Sequence, residues 1–199
     1  WAARSLAAML GKTDPLVRAR TPERLADLPR LSRLGNHGVP RFDRDTRTVQ
    51  WMLDHPWVRD DAPPVTPPFH FVDRRQVFRY RLRELVDASG QRRGYFLSSF
   101  QQDGGGSRVT LLDHELDDPQ LLGPALADLW ADIAGGPPVD EVILPDHAWA
   151  WLERSQLVRH LTHRFQRPYL ARPNDPDSPL AKHLETLQLQ YVDCDAAFC

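Results

Sequence analysis

Length, composition and charge already limit what this chain can be. Its 199 residues fit one domain, since most single domains hold about 100 to 200 residues, and they suffice to bury a proper core. The 25 basic residues nearly balance the 27 acidic ones. No field over the whole molecule therefore draws it to nucleic acid or to an anionic membrane, and we expect neither partner.

The N-terminal residues and the cysteines bear on the cellular compartment. The opening sequence WAARSLAAML lacks the basic head and long apolar stretch of a signal peptide, and no apolar run approaches the roughly 20 residues that span a bilayer. Cys194 and Cys199 are the only cysteines, and a disulfide between them would constrain almost nothing. These features predict reduced thiols and a cytoplasmic protein.

The first part of the chain has the pattern of one strand followed by two helices. Residues 15–20, PLVRAR, alternate apolar and basic side chains, which is typical of a strand. Thr21 then provides a helix cap, and Pro22 suits the first helical position. A second helix follows, capped by Asp43 or Asp45.

Three strand-like runs come next, over residues 77–86, 94–101 and 108–114. The segments between them, ASGQRR and QDGGGS, are short and rich in glycine, serine and other polar residues. Such gaps form tight turns between neighbouring strands. The sequence therefore predicts an antiparallel meander, with the DGGG of residues 103–106 as a hairpin turn.

An amphipathic helix and an apolar strand follow the meander. The helix runs toward Ile133 and is ended by Gly135 and Gly136. Its apolar stripe, which should face a sheet, consists of Ala125, Leu126, Leu129, Trp130 and Ile133. Residues 139–145, VDEVILP, form an apolar run typical of a strand buried in a parallel sheet. Strand, helix and strand predict a right-handed crossover between parallel neighbours, and a short helix and two strands up to residue 172 complete the predicted core.

This element order and two local segments resemble the GNAT superfamily of acyl-CoA-dependent N-acyltransferases. The segment LVRARTPERLADLPRL is similar to the family's first strand and helix, and LLGPALADLW followed by VDEVILP resembles its crossover helix and fifth strand. The resemblance covers about residues 16–172. It implies an α/β (α+β) fold, with a mixed, mostly antiparallel sheet flanked by helices and a parallel, splayed pair of strands around the crossover helix. Residues 15–172 would form this domain, with an extension or linker over residues 1–14 and an extension packed on the domain over residues 173–199.

The resemblance also implies a cosubstrate, acetyl-CoA or another acyl-CoA. In this family the pyrophosphate lies on backbone N–H groups at the start of the crossover helix, in a motif R/Q-x-x-G-x-G/A, where the helix dipole also favours phosphate. Aligned by the helix, Gly123 takes the last small position, Leu121 the earlier glycine position and Asp118 the basic or amide position. The implied cofactor-binding residues are Leu112, Asp113, His114, Leu121, Leu122, Gly123, Pro124 and Ala125. Leu144 of the following strand would line the same cleft.

Pro124 supports this alignment independently of the family. Proline is tolerated in the first turn of a helix but costs ~3 kcal/mol in its interior. We therefore predict that the helix starts near Gly123 and that residues 115–122 form a loop. Asp117 and Asp118 would cap the helix where a phosphate would lie, and they would also repel a phosphate. A well-capped helix and a working pyrophosphate site are the two alternatives.

Acyl transfer to an amine needs a base for the amine and a proton donor for the leaving thiolate. By the resemblance, the base is a carboxylate at the end of the fourth strand, which indicates Glu115, with a solvated or capping acid as the alternative. The donor would lie on the helix after the fifth strand, where Ser155 is the available hydroxyl unless it only caps the helix. The acceptor would be a small-molecule or peptide amine, and a homodimer or a tandem domain is left open.

Other chemistry has little support in the sequence. The G-x-S-x-G, H-E-x-x-H and G-x-x-x-x-G-K-S/T motifs are absent. His160 and His163 have no acidic or cysteine partner at ligand spacing, so no metal site is predicted. Two hypotheses therefore stand: an N-acyltransferase, or a catalytically inactive GNAT-like module that serves a larger protein in binding, scaffolding or dimerisation.

Overall fold

The structure is a computed structural model that describes residues 17–22, 46–54, 77–145, 148 and 177. Within these residues the chain forms five strands and two α-helices. In chain order they are β1 (Val17–Arg20), α1 (Thr46–Asp54), β2 (Val77–Asp87), β3 (Arg92–Asp103), β4 (Gly106–Leu116), α2 (Leu122–Gly135) and β5 (Glu141–Ile143). The helix predicted after Pro22, the strands predicted after residue 156 and the extension over residues 1–14 lie outside the described residues.

The five strands form one mixed sheet in the order β1-β2-β3-β4-β5. The pairs from β1 to β4 are antiparallel, and β5 lies parallel to β4. Helix α2 connects the two parallel strands. The predicted meander, the crossover helix and the parallel pair are therefore confirmed, and the fold is α+β.

Tight polar turns join the meander strands. Between β3 and β4, Asp103 pairs with Gly106, and the Asp103 carboxylate accepts the Gly105 N–H at 2.7 Å. Between β2 and β3, the Asp87 carboxylate accepts the Ser89 hydroxyl at 2.6 Å. This hydrogen bond lowers the pKa of Asp87, and the backbone N–H groups of Gln91 and Ser89 act in the same direction. Local side-chain bonds of this kind explain why the hairpins could be predicted from short sequence signals.

Helix α2 lies over one face of the sheet, and the described core on that side forms between the two. Its buried residues include Ala125, Leu126, Leu129 and Ile133, and Trp130 is partly buried beside them, as the apolar stripe predicts. Its C-terminus is also as predicted, because α2 ends at Gly135 with Gly136 as the cap. The sheet residues in the same cluster include Leu85, Phe96, Val109, Leu111 and Leu116.

Two ion pairs fix α2 relative to β2. The Arg83 guanidinium binds Asp128 through two hydrogen bonds, from Nε at 2.9 Å and from Nη2 at 2.8 Å. Arg81 forms a second ion pair, with Asp132. Asp128 and Asp132 are one helical turn apart, and Arg81 and Arg83 share a face of the strand, so the two pairs run side by side. The bidentate pair is the more directional of the two.

We predict that Phe96→Ala costs about 3 to 5 kcal/mol of unfolding free energy, because it removes a large side chain from the α2 core and leaves a cavity. Phe96 is 1% exposed. Chemical denaturation measures the effect. The control is Trp51→Ala on α1, where the side chain is 53% exposed and the change should stay within about 0.5 kcal/mol. Equal midpoints for the Phe96 variant and the wild type would place this ring outside the core.

Candidate functional site

A β-bulge near the end of β4 decides which side chains share a face of the sheet. The register with β3 changes from Ser98↔Leu111 to Leu97↔Asp113, so Leu112 is an extra residue in β4. Such a residue locally breaks the alternation of side chains along a strand. Val109 and Leu111 before the bulge belong to the α2 core.

Beyond the bulge, the two carboxylates of β4 lie on the face away from α2. His114 pairs with Phe96, whose ring belongs to the α2 core, whereas Glu115 pairs with Tyr95 and Asp113 with Leu97. Directly opposed residues in an antiparallel pair share a face. Asp113 and Glu115 are therefore neighbours on one face, and His114 is on the other. The cofactor residues predicted at the end of β4 do not form one surface.

The face that carries Asp113 and Glu115 is polar and buried. Both carboxylates are buried, and the buried Tyr95 hydroxyl donates a hydrogen bond to Asp113 Oδ2 at 3.2 Å. Other buried polar residues of the same face are Glu84, Ser99, Gln101 and Thr110. Buried polar side chains are uncommon and need specific partners. This concentration of polar groups distinguishes the face from the apolar one beneath α2.

Two arginines compensate the charge of Glu84 on this face. Its side chain is fully buried, and each oxygen accepts a hydrogen bond of 2.7 Å, one from Arg20 Nε and the other from Arg92 Nε. Arg20 belongs to β1 and Arg92 to β3, so the three residues tie three strands together. Removing either arginine would leave a buried and poorly compensated charge. We therefore assign Glu84 a role in stabilising the sheet.

The pairing of the parallel strands ends close to the bulge. Residues 108–110 of β4 pair with Glu141–Ile143, and the last pair is Thr110↔Ile143. β4 continues to Leu116, whereas β5 ends at Ile143. Leu112 and Leu144, predicted to line a cleft between the strands, are both buried.

The start of α2 differs in detail from the predicted loop. Glu115 belongs to β4 rather than to a loop, and a 3-10 turn, Pro119–Leu121, leads directly into α2. The helix begins at Leu122 instead of Gly123, so Pro124 still lies in its first turn. Only residues 117–118 separate the strand from the 3-10 turn. The prediction that residues 115–122 form a loop was therefore wrong for most of that segment.

Asp118 caps the 3-10 turn and not α2 itself. The N-cap residue of α2 is Leu121, which has no side-chain cap bond, so the prediction that Asp117 and Asp118 cap the crossover helix was only partly right. The Asp118 carboxylate accepts the Gln120 N–H at 2.8 Å, and its backbone carbonyl accepts the Leu121 N–H at 3.0 Å. The Leu122 N–H is bonded to Pro119 O within the turn. These three N–H groups, which a phosphate could use, already have acceptors inside the protein.

The predicted pyrophosphate residues turn their side chains into the core. Leu121, Leu122 and Ala125 belong to the α2 core cluster, Gly123 is buried and Pro124 is half-buried. A ligand at this point would meet the backbone rather than these side chains. Replacing Leu121 by glycine would also remove a core contact, so its cost in stability exceeds that of a surface change.

Residues 115–118, which run from the end of β4 to the helical segment and carry three carboxylates, form an acidic joint. A basic residue of another strand reaches this joint, an interaction that sequence reasoning missed. Arg93 Nε donates to Asp117 Oδ2 at 2.5 Å, and the Asp117 N–H donates to Arg93 O at 2.9 Å. The hydrogen bond to Asp117 raises the pKa of Arg93. Arg93 is the extra residue of a second bulge, where the register changes between Leu85↔Gly94 and Val86↔Arg92. The joint is therefore less negative than its own sequence indicates.

Ser155, the predicted thiolate donor, lies outside the described residues. Among the residues that the structure does describe, no group of three or more histidine, cysteine, aspartate or glutamate side chains could hold a metal ion. Within the same part of the chain, no helix combines the length and apolar character needed to cross a membrane. No protein-family model, curated protein or solved structure matches this chain.

Gly94 allows the end of β4 to approach β3 closely, because it has no side chain. Its φ is +157°, and a Cβ added there would lie 2.5 Å from Glu115 O and 2.8 Å from Leu116 Cδ2. Gly94→Ala should therefore cost about 1 to 3 kcal/mol and displace Glu115. Denaturation measures the cost, with Gly104→Ala as the control because no atom lies within 4 Å of a Cβ there. Equal costs for both variants would refute this close approach.

Proposed function

We propose that the chain is an acyl-CoA-dependent N-acyltransferase with a GNAT-like fold. The observation that carries the proposal is the end of the β4–β5 pairing at Thr110↔Ile143, next to the bulge at Leu112. Two buried carboxylates, Asp113 and Glu115, follow at once on the strand that continues. A strand that continues beyond its parallel partner can offer its backbone to an extended ligand, and acids on that strand supply what amine chemistry needs.

Strand backbone suits the pantetheine arm of acyl-CoA on chemical grounds. The arm is extended and contains two amide groups, so it can pair with a strand as a peptide does in β-augmentation. This mode needs no particular side chain, which agrees with the burial of Leu112 and Leu144. The pyrophosphate would then reach the start of α2, where the helix dipole favours an anion.

Acyl transfer moves two protons from the acceptor nitrogen, one to Glu115 and one to the leaving thiolate. An acceptor ammonium gives its first proton to the Glu115 carboxylate, which releases it to solvent after the reaction. The neutral nitrogen then attacks the thioester carbonyl carbon, and the C–S bond breaks with its electron pair on sulfur. The nitrogen loses a second proton as the amide forms, and this proton passes through the Ser155 hydroxyl or water to the thiolate, so that the products are the amide, the free thiol and the one proton that Glu115 releases. General base catalysis of this kind contributes about 10² to 10⁴ in rate.

A second candidate function is favoured by the geometry of the helix start. Asp118 occupies the Gln120 N–H, and neighbouring N–H groups are bonded within the turn. A catalytically inactive GNAT-like module would lose no function by keeping such a cap. A larger protein would use this module for binding, scaffolding or dimerisation. Calorimetric titration with acetyl-CoA separates the two functions, since saturable binding supports the transferase and its absence supports the inactive module.

The transferase predicts that Glu115→Gln lowers kcat by about 10² to 10⁴, because the amide cannot accept the amine proton. Affinity for acetyl-CoA should stay unchanged, because the carboxylate acts on the acceptor. The assay follows thiol release from acetyl-CoA with a panel of primary amines. Glu141→Gln is the matched control, because this carboxylate on β5 has a side chain that is 52% exposed. Unchanged turnover in Glu115→Gln would exclude it as the base.

Asp118→Asn tests whether charge at the helix start limits acyl-CoA binding. Asparagine still accepts a hydrogen bond as a helix cap but carries no charge, so stability should change by only a few tenths of a kcal/mol. Removing the repulsion should strengthen acetyl-CoA binding by about three- to fivefold, equivalent to ~0.6 to 1 kcal/mol. Calorimetry at low and high salt measures the gain, which should shrink as salt screens the charge. If Asp118→Asn and the wild type bound acetyl-CoA with equal affinity at both salt concentrations, the pyrophosphate would lie elsewhere.

A further inference from the structure

Hydrogen bonds between Ser107 and Asp140 tie the loop before β5 to the start of β4. The Asp140 Oδ2 atom accepts the Ser107 N–H at 2.8 Å and lies 2.9 Å from the Ser107 hydroxyl oxygen. In the opposite direction, the Asp140 N–H donates to the Ser107 carbonyl oxygen at 3.0 Å and to the hydroxyl oxygen at 3.3 Å. We call these two residues the β5 clamp. It lies directly before the first residue pair of the parallel strands, Arg108↔Glu141.

The hydroxyl of the β5 clamp has two acceptors within reach. Besides Asp140 Oδ2, the backbone oxygen of Pro138 lies 2.8 Å from Ser107 Oγ. A serine hydroxyl carries one proton, so it donates fully to only one of these oxygens at a time. An ionised carboxylate is the stronger acceptor and takes the proton while Asp140 is charged. Loss of that charge removes the preference, and the hydroxyl then turns to Pro138.

Strand β5 is too short to hold its own start firmly. It pairs with β4 through three residue pairs, whereas β2 and β3 share ten. Pro137 and Pro138, which lead to the β5 clamp, have no N–H to donate to a neighbouring strand. At the other end, Leu144 is buried in the α2 core. Among the described contacts, the β5 clamp is therefore what attaches the start of β5.

The attachment depends on the charge of Asp140. The backbone N–H of Ser107 lowers the pKa of Asp140 most, and the Ser107 hydroxyl acts in the same direction. A carboxylate whose pKa falls on folding stabilises the folded state above its ordinary pKa, and this stabilisation is lost as the pH falls through the lowered value. Of the described residues, the other charged side chains on the segments that meet here are Asp103 of the turn and the pair Arg108 and Glu141, which lie 3.7 Å apart.

We propose that the β5 clamp is a proton-sensitive switch: protonation of Asp140 releases the start of β5 from β4 while the meander stays paired. Asp140 is exposed, so a proton reaches it without unfolding of the sheet. The start of β5 is then the first part of the described sheet to open in acid, as local units of low stability do. The inference does not depend on the transferase function, because it concerns the strand pairing itself.

Hydrogen exchange followed by mass spectrometry tests the proposal between about pH 3 and about pH 6, with each rate divided by the intrinsic rate at that pH. In the wild type, residues 139–144 should lose about three- to tenfold in protection as the pH falls, whereas residues 94–101 of β3 should stay protected. Asp140→Asn carries no charge at any pH. Its residues 139–144 should therefore show the low protection already at about pH 6, with no further dependence on pH.

The matched controls are Asp103→Asn and Glu141→Gln, which remove neighbouring carboxylates and leave the β5 clamp intact. Both should keep the wild-type dependence on pH. Ser107→Ala, which removes the hydroxyl alone, should lower the protection of residues 139–144 at about pH 6, and this variant decides the matter if Asp140→Asn does not fold. Wild-type pH dependence in Asp140→Asn, or its loss in either control, would overturn the proposal. Loss of protection over residues 94–101 together with residues 139–144 would overturn it as well, since the sheet would then open as one unit.

Discussion

One extra residue in β4 determines the chemistry available on both faces of the sheet. Before Leu112, the odd-numbered residues Val109 and Leu111 face α2. Uninterrupted alternation would put Asp113 and Glu115 against the same apolar helix. Because a one-residue shift exchanges the faces of a strand, the bulge sends both carboxylates to the opposite side. The cost of two carboxylates in an apolar core, several kcal/mol each, is thereby avoided.

The opposite side remains buried and therefore needs its own polar partners. β3 is buried on both faces over most of its length, with Phe96 toward α2 and Tyr95 on the polar side. The polar side is held together by bonds between strands, from Tyr95 to Asp113 and from Arg20 and Arg92 to Glu84. Such networks are strong only when their members are paired, which makes this face sensitive to any change in register. The bulges that set the register thus also determine whether the polar side chains meet.

The elements were predictable from sequence because their signals are local. Proline in the first turn, glycines at its end and an apolar stripe located α2, and the short turns located the hairpins. The bulges at Leu112 and Arg93 have no such signal, since either strand could accept the extra residue at several positions. The ion pair between Arg93 and Asp117 was missed for this reason, because the two residues are 24 positions apart. For the same reason, Leu112, Asp113 and His114 were predicted to line one site, although the bulge at Leu112 places Asp113 and His114 on opposite faces.

The acidic joint is less unfavourable to an anion than its sequence indicates. Asp117 is paired with Arg93, so its charge is largely offset, and Asp118 is left as the carboxylate at the helix start. A helix cap is worth about 1 kcal/mol, and one charge at the dipole about 0.3 to 1 kcal/mol. A pyrophosphate that displaced the cap would therefore lose about ten- to thirtyfold in affinity relative to an uncapped helix. Under the proposed function, a penalty of this size would weaken acyl-CoA binding without abolishing it, because the strand backbone would contribute independently of the helix start. A transferase of modest affinity and an inactive module therefore differ in one quantity, which is the affinity of the protein for acetyl-CoA.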